Sequence, residues 1–251
     1  MGVFCFSCEK VIDIGLKSSD ALIVIEGVVT NRTDSQIVRI NRSVPFGDLN
    51  NFPDVSGAIV TITDNSGRVV TLRERRPGFY MARNFTGNSG RTYNLKVVVE
   101  GKEYTATSTM PTQVSMDSLG VTVGTFFGKE SKTVQISFAD PAAIKNYYRF
   151  TLNINGKPSK NIFVYEDNFS NGKKVTRELF DFDLNTKTGD VAEIEMQCID
   201  QNIYRYWQGL DQNENRGGAS TTPANPVSNI NNGALGYFSV HTRQNEKIII
   251  P

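Results

Sequence analysis

The sequence predicts an all-β protein, built as two β-sandwich domains in series with one short helix in the second. Three features predict it. Val, Ile and Thr alternate with polar residues in short runs, as half-buried strands require. Gly, Asn and Asp separate those runs at close intervals, where a turn needs a residue that tolerates positive φ. One segment alone has helical spacing.

In chain order, Ala21–Thr30 is apolar and β-branched, and Gln36–Val44 sets Ile and Val against polar neighbours; both read as strands. Ser56–Thr63 and Arg68–Leu72 form the clearest hairpin, joined by Asp64-Asn-Ser-Gly67. A second hairpin pairs Tyr93–Val99 with Glu103–Thr107 through Gly101-Lys102. Closely spaced short strands of this kind imply a sandwich. Met110-Pro111-Thr112 closes the first unit, since proline cannot donate to a ladder, and residues 111–118 read as a linker. Strands resume at Thr133–Phe138, Tyr147–Ile154, Asn161–Tyr165 and Ala192–Ile199.

In Asp200–Asp211, Ile203, Trp207 and Leu210 share one helical face, with Asp200 as N-cap. On this reading Trp207 packs into the second sandwich and Tyr204 and Tyr206 are the exposed pair. A long polar loop over 215–232 follows, then a strand at Ala234–His241 and a short apolar edge at Lys247–Ile250. The expected organisation is a residual signal and tether over 1–20, one sandwich over 21–111 and a second over 112–251.

Composition excludes several function classes. With 27 Lys+Arg against 26 Asp+Glu and no basic stripe, nothing is present to grip a phosphate backbone, so nucleic acid is not an expected partner. No run of about 18 apolar residues is present to span a bilayer as a helix. Of three cysteines, Cys5 and Cys8 lie at the N-terminus and Cys198 in the body, which gives no disulfide framework.

Candidate chemistry is sparse. His241 is the one histidine and has no G-x-S-x-G elbow beside it, so it reads as a solvent-facing or structural residue. One His and Cys198 do not make a zinc site, and Cys5-Phe-Ser-Cys8 lacks a second pair. Asp211–Gly217 imitates the first half of a calcium loop, but Arg216 stands where the turn glycine belongs and Thr222 where the bidentate Glu belongs. Asp181 with Asp183, and Glu193 with Glu195, put carboxylates on one strand face, as chance often does. Sequons at Asn31, Asn41, Asn84 and Asn168 read as accidents of an Asn-rich chain. The expectation is a protein with no catalytic residues, metal or cofactor.

Val3–Ser7 reads as the end of a secretory signal, with small Ser7 at the cut, Cys8 as the lipid-bearing residue and Lys17–Asp20 as a polar tether. Ser7-Cys8-Glu9-Lys10, the Ile25–Thr30 strand, Gly57–Asp64, Gly90–Leu95, Asn225–Ile230 and Gly233–Phe238 together resemble a family of Bacteroidetes outer-membrane lipoproteins, domain-of-unknown-function family 4249. The resemblance covers nearly the whole chain. Its first half also resembles prealbumin-like or carboxypeptidase-regulatory-like sandwiches, an immunoglobulin-like architecture. Cys5 stands where the usual lipobox has Leu.

The resemblance implies a lipid anchor at Cys8, a place at the outer membrane on its periplasmic or cell-surface face, and association with TonB-dependent receptors. It implies no reaction. The favoured reading is an accessory or binding protein in nutrient uptake; the alternative is an adhesin or pilus-like subunit. Contacts with a receptor, small molecule or glycan are expected from Tyr204, Tyr206, Asn225 and Asn229, beside the polar loop. Asp117-Ser118-Leu119 matches an Asp-Ser/Thr-apolar acceptor for O-glycosylation, which nominates Ser118.

Overall fold

Side-chain alternation decides which face of each strand is buried, and in β1 (Ile23–Thr30) it does so almost without exception: Ile23, Ile25 and Val29 point inward while Val24, Glu26 and Val28 stay partly exposed. The computed structural model describes residues 21–34, 36–45, 51–126, 128–215 and 225–251. Cys8 and the tether lie outside the described residues.

Six further strands complete the first half: β2 (Gln36–Arg42), β3 (Ile59–Asp64), β4 (Val69–Arg76), β5 (Phe79–Ala82), β6 (Thr92–Val99) and β7 (Lys102–Thr109). Both expected hairpins are present. In the first, the Asp64 carboxylate accepts the Ser66 and Arg68 amides and the Ser66 hydroxyl, which fixes the turn. The second turns through Glu100 and Gly101, both at positive φ.

The second half holds β8 (Met116–Phe126), β9 (Lys129–Ala139), β10 (Tyr147–Ile154), β11 (Lys157–Pro158), β12 (Phe163–Glu166), β13 (Lys174–Leu179) and β14 (Val191–Ile199). The helix α1 (Gln201–Asn215) and the last strand β15 (Leu235–Ile249) follow. The protein is all-β with one helix, and its strands stack as sandwich-like sheets. β13-β9-β8 form a three-stranded sheet whose apolar face meets that of β10 and β14.

β15 organises the molecule. Its first part, Leu235–His241, pairs in parallel with β1, and its second part, Thr242–Ile249, pairs antiparallel with β14. One sheet therefore runs β11-β10-β14-β15-β1-β2-β5-β4-β3-β6-β7, with β12 also on β10. The apolar cluster of the first half includes Phe238 and Val240; that of the second starts at Val114 and includes Ile250. The C-terminal stretch thus serves both halves. At the far end of the path β7 meets β15, where the Val240 amide donates to Ser108 Oγ.

Several local expectations are corrected. The separate strands at 234–241 and 247–250 are one strand, because Thr242–Glu246 pairs with Ile194–Cys198 despite its polarity. The 111–118 segment is not a free linker: the Val114 amide meets Cys198 Sγ, and Gln244 bonds both Val114 O and the Met116 amide. Asp117 and Ser118 belong to β8, beside a register shift. β5, β8, β11 and β13 lacked a clear alternation in the sequence, and α1 runs four residues past Asp211.

The parallel pairing requires close backbone approach. Gly236 has φ of 92° and a Cβ there would lie 2.1 Å from Ile25 O; a Cβ on Gly27 would meet Phe238 Cδ2 at 2.8 Å. Gly236→Ala should therefore cost at least ~2 kcal/mol. Urea unfolding of the two proteins measures this, and equal midpoints would contradict the required approach.

Candidate functional site

The unburied face of β1 and β2 carries Val24, Glu26, Arg39 and Asn41, and α1 lies beside it. Between them opens a groove of about 720 Å³, within the size range of roughly 300–1,000 Å³ typical of ligand sites. Val44, Phe52 and Asp54 form one wall, and the Arg76–Phe79 turn another. Tyr206 and Leu210 of α1, with Asn225 and Pro226, form the wall opposite.

Each wall has a local cause. Glu74 accepts the Gly57 and Gly78 amides, which hold the Arg76–Phe79 turn, and those bonds, the one from Gly57 first, depress its carboxyl. The guanidinium groups of Arg76 and Arg39 sit 4.8 and 5.7 Å from the Phe79 ring centre. Asn41 Nδ2 donates to Asp54 Oδ1 at 2.8 Å. Phe52 is 49 % exposed. Among the described lining residues two acidic and two basic side chains balance each other, which favours an amphipathic occupant over a strongly charged one.

The helix is seated by its N-cap. Asp200 Oδ1 accepts the Ile203 amide at 3.0 Å, as expected of a cap, and its other oxygen accepts from Ser108 Oγ. Ile203, Tyr204, Tyr147 and Ile199 then form a small apolar cluster under α1.

The four nominated contact residues divide. Tyr206 and Asn225 line the groove. Tyr204 does not: its ring lies 5.1 Å from that of Tyr147, and its hydroxyl accepts from Gln208. Asn229 is a clamp, donating to Thr107 O and Phe238 O and accepting the Phe238 amide. The expected exposed tyrosine pair is corrected, since Tyr204 and Tyr206 are buried, whereas Trp207 is half-buried and packs against the apolar cluster under α1. The helix presents Tyr206 to Tyr237 and tips Trp207 towards Arg149, whose guanidinium stacks 3.9 Å from the indole centre. Phe52 and Phe79 were missed because they fall outside the strands read from the sequence, and Arg149 because strand period gives its face and not the indole it meets. Ser118 is exposed on β8.

The other sequence candidates have structural roles. His241 is buried, not solvent-facing, and its Nδ1 lies 2.8 Å from Ser239 Oγ. Burial first, then the fields of Arg149 and Arg243, push its pKa down to about 3. A ring that binds protons so weakly is poorly matched to general-base work at neutral pH. Burial raises the Cys198 thiol. Glu193 and Glu195 pair with Lys247 and Arg243, and Asp181 accepts from Ser159 and the Asp183 amide. Asp211–Asn215 is the end of α1; the rest of the calcium-like stretch up to Thr222 lies outside the described residues. Among the described residues no helix is long and apolar enough to cross a membrane.

The family model described as a domain of unknown function, DUF4249, matches residues 9–247. The chain belongs to the DUF4249 family. No curated protein matches this DUF4249 chain.

His241 makes stability pH-dependent. Its folded pKa lies below the usual 6.5, so between those values the unfolded chain takes up a proton that the native state refuses. Stability should therefore fall with falling pH through this window, by at most about 1.4 kcal/mol per unit. Asp64, held down to about 2 chiefly by the Ser66 hydroxyl, adds its own loss only at lower pH. Urea unfolding between about pH 7 and pH 5 isolates the histidine, and His241→Gln should flatten that slope. An unchanged slope would contradict the assignment.

Proposed function

We propose that this DUF4249 chain is a lipid-anchored binding or accessory protein of the outer membrane, held through Cys8 and associated with a TonB-dependent receptor in nutrient uptake. The observation that carries the reading is the groove between α1 and the β1–β2 face, where Phe52, Phe79 and Tyr206 offer aromatic area and the charges of the described lining residues balance. Such a lining suits a protruding segment of a protein partner, which brings apolar side chains and backbone polar groups together. The N-terminal resemblance to Bacteroidetes lipoproteins supports the anchor. A diacylated, N-acylated cysteine buries enough methylene groups, at about 0.8 kcal/mol each, to hold a soluble domain at a bilayer. The reading needs no catalysis, metal, cofactor or nucleic acid.

One feature favours a structural surface protein as the second reading. β8 is an edge strand of 11 residues, uncharged from Ser118 to Phe126, and edges of this kind invite pairing with another chain. Exposed Ser118 on this strand is the proposed O-glycan acceptor, and a bulky glycan there would block such pairing. Intact-mass measurement of native protein and of Ser118→Ala tests it: a glycan mass on the first alone is expected, and equal modification of both would refute the assignment.

The main test is affinity capture from native membranes with the full signal restored. An outer-membrane β-barrel receptor should co-purify with the parent, and Phe52→Ala should reduce recovery about tenfold, as loss of an aromatic anchor does. Cys8→Ala should leave the membrane fraction. Recovery of a self-polymer without a receptor would replace this reading with the second.

A further inference from the structure

On the far side of α1 from the groove, the sheet presents a polar face of unusual regularity. The register of β10, β14 and β15 sets three rows across the strands: Arg149, Gln197 and Arg243; Thr151, Glu195 and Asn245; Asn153, Glu193 and Lys247. Rows repeat every second residue, roughly 6.8 Å along the strand, and neighbours in a row lie about 4.8 Å apart. The opposite faces of these strands carry Phe150, Leu152, Ile194 and Met196 into the core. The nine side chains therefore share one face of three paired strands.

Two adjoining cavities lie on this face. One of about 610 Å³ is lined by Thr151, Asn153, Glu193 and Asn245 among others, and one of about 150 Å³ lies beneath Trp207, next to Arg149 and His241. They share Glu195 and Arg243, and neither shares a residue with the groove.

Across the two cavities three cations, Arg149, Arg243 and Lys247, face three carboxylates, Glu193, Glu195 and Glu246. Arg243 pairs with Glu195, and Lys247 with Glu193. Gln197 accepts from Arg149 and donates to Glu195. Two buried polar atoms nonetheless have no protein partner: Arg149 Nε, a donor, and Asn153 Oδ1, an acceptor. Leaving such groups unsatisfied costs about 1–3 kcal/mol each. A simple anion would meet the paired carboxylates, and an apolar ligand would strip their hydration without replacing it. The complementary ligand is neutral, extended, and able both to donate and to accept along its length.

We propose that the β10–β14–β15 face, from Arg149 to Lys247, is a binding site for a short neutral saccharide, its hydroxyls bonding the Thr, Asn and paired-carboxylate rows. Vicinal hydroxyls both donate and accept, so carboxylates and amides can each engage them in pairs. The indole of Trp207 closes the Arg149 end. The site is independent of the groove, so either can fail alone.

The test is isothermal titration of the full chain with maltose, cellobiose, lactose and N,N′-diacetylchitobiose, with sodium acetate and sodium phosphate as anion controls. At least one disaccharide should bind saturably. Asn153→Ala and Glu193→Gln should each weaken it about fivefold to tenfold, corresponding to one hydrogen bond, while Phe52→Ala in the groove leaves it unchanged. The melting temperature of Glu193→Gln should match the parent, because that side chain is largely exposed, and that of Asn153→Ala should not fall, because its buried carbonyl oxygen has no partner to lose. Binding of no disaccharide, equal binding by both face variants, or a response to the anions alone would overturn the proposal.

Discussion

The pairing of one strand with two distant partners is the constraint on which the rest of the molecule depends. Leu235–His241 lies in parallel against β1, and the same strand continues as Thr242–Ile249 against β14. The contact is maximally non-local: the Arg243 amide donates to the Asn31 side chain across 212 positions. Closing so long a loop costs entropy before any contact offsets it. The compensation is apolar burial on both sides, by Phe238 and Val240 in one cluster and by Ile250, just beyond the strand, in the other. Glycine at 27 and 236 permits the approach, and Ser108 ties the far edge of the first half back to the same strand.

That strand also positions the surface features. It supplies Tyr237, against which Tyr206 and Trp207 pack, so it fixes where α1 crosses the sheet. The helix divides the exposed sheet face into an amphipathic groove over β1–β2 and a polar face over β10–β14–β15. The division follows from alternation: outward positions of β1 and β2 border the aromatic turn at Phe79, whereas those of β14 and β15 are charged or amidic and pair across the register. The buried His241 and the stacked Arg149 lie beneath the helix, where desolvation lowers the proton affinity of both.

Much of the fold was legible because strand alternation and turn chemistry are local. The two hairpins, the Asp200 N-cap and the burial of the β10 and β14 faces all follow from residue type and period. What was illegible is non-local. Thr242–Glu246 is polar throughout and looks like a break, yet it pairs because the Ile194–Cys198 backbone of β14 runs antiparallel beside it. Helical spacing placed Tyr204 and Tyr206 on the outer side of α1, but a helix that packs between a sheet and a loop is covered on more than one side, and both tyrosines are buried. Asn225 and Asn229 sit four residues apart in one polar stretch; one borders the groove and the other clamps β15 to β7. Composition alone does not separate those roles.

If β15 makes the two halves one cooperative body, their most protected amides must open together. Native-state hydrogen exchange under increasing urea measures this directly, with Ile62 reporting the first apolar cluster and Ile194 the second. Their opening free energies should converge on one isotherm with the slope of global unfolding. Two isotherms with separate slopes, one for each cluster, would contradict the shared-strand account.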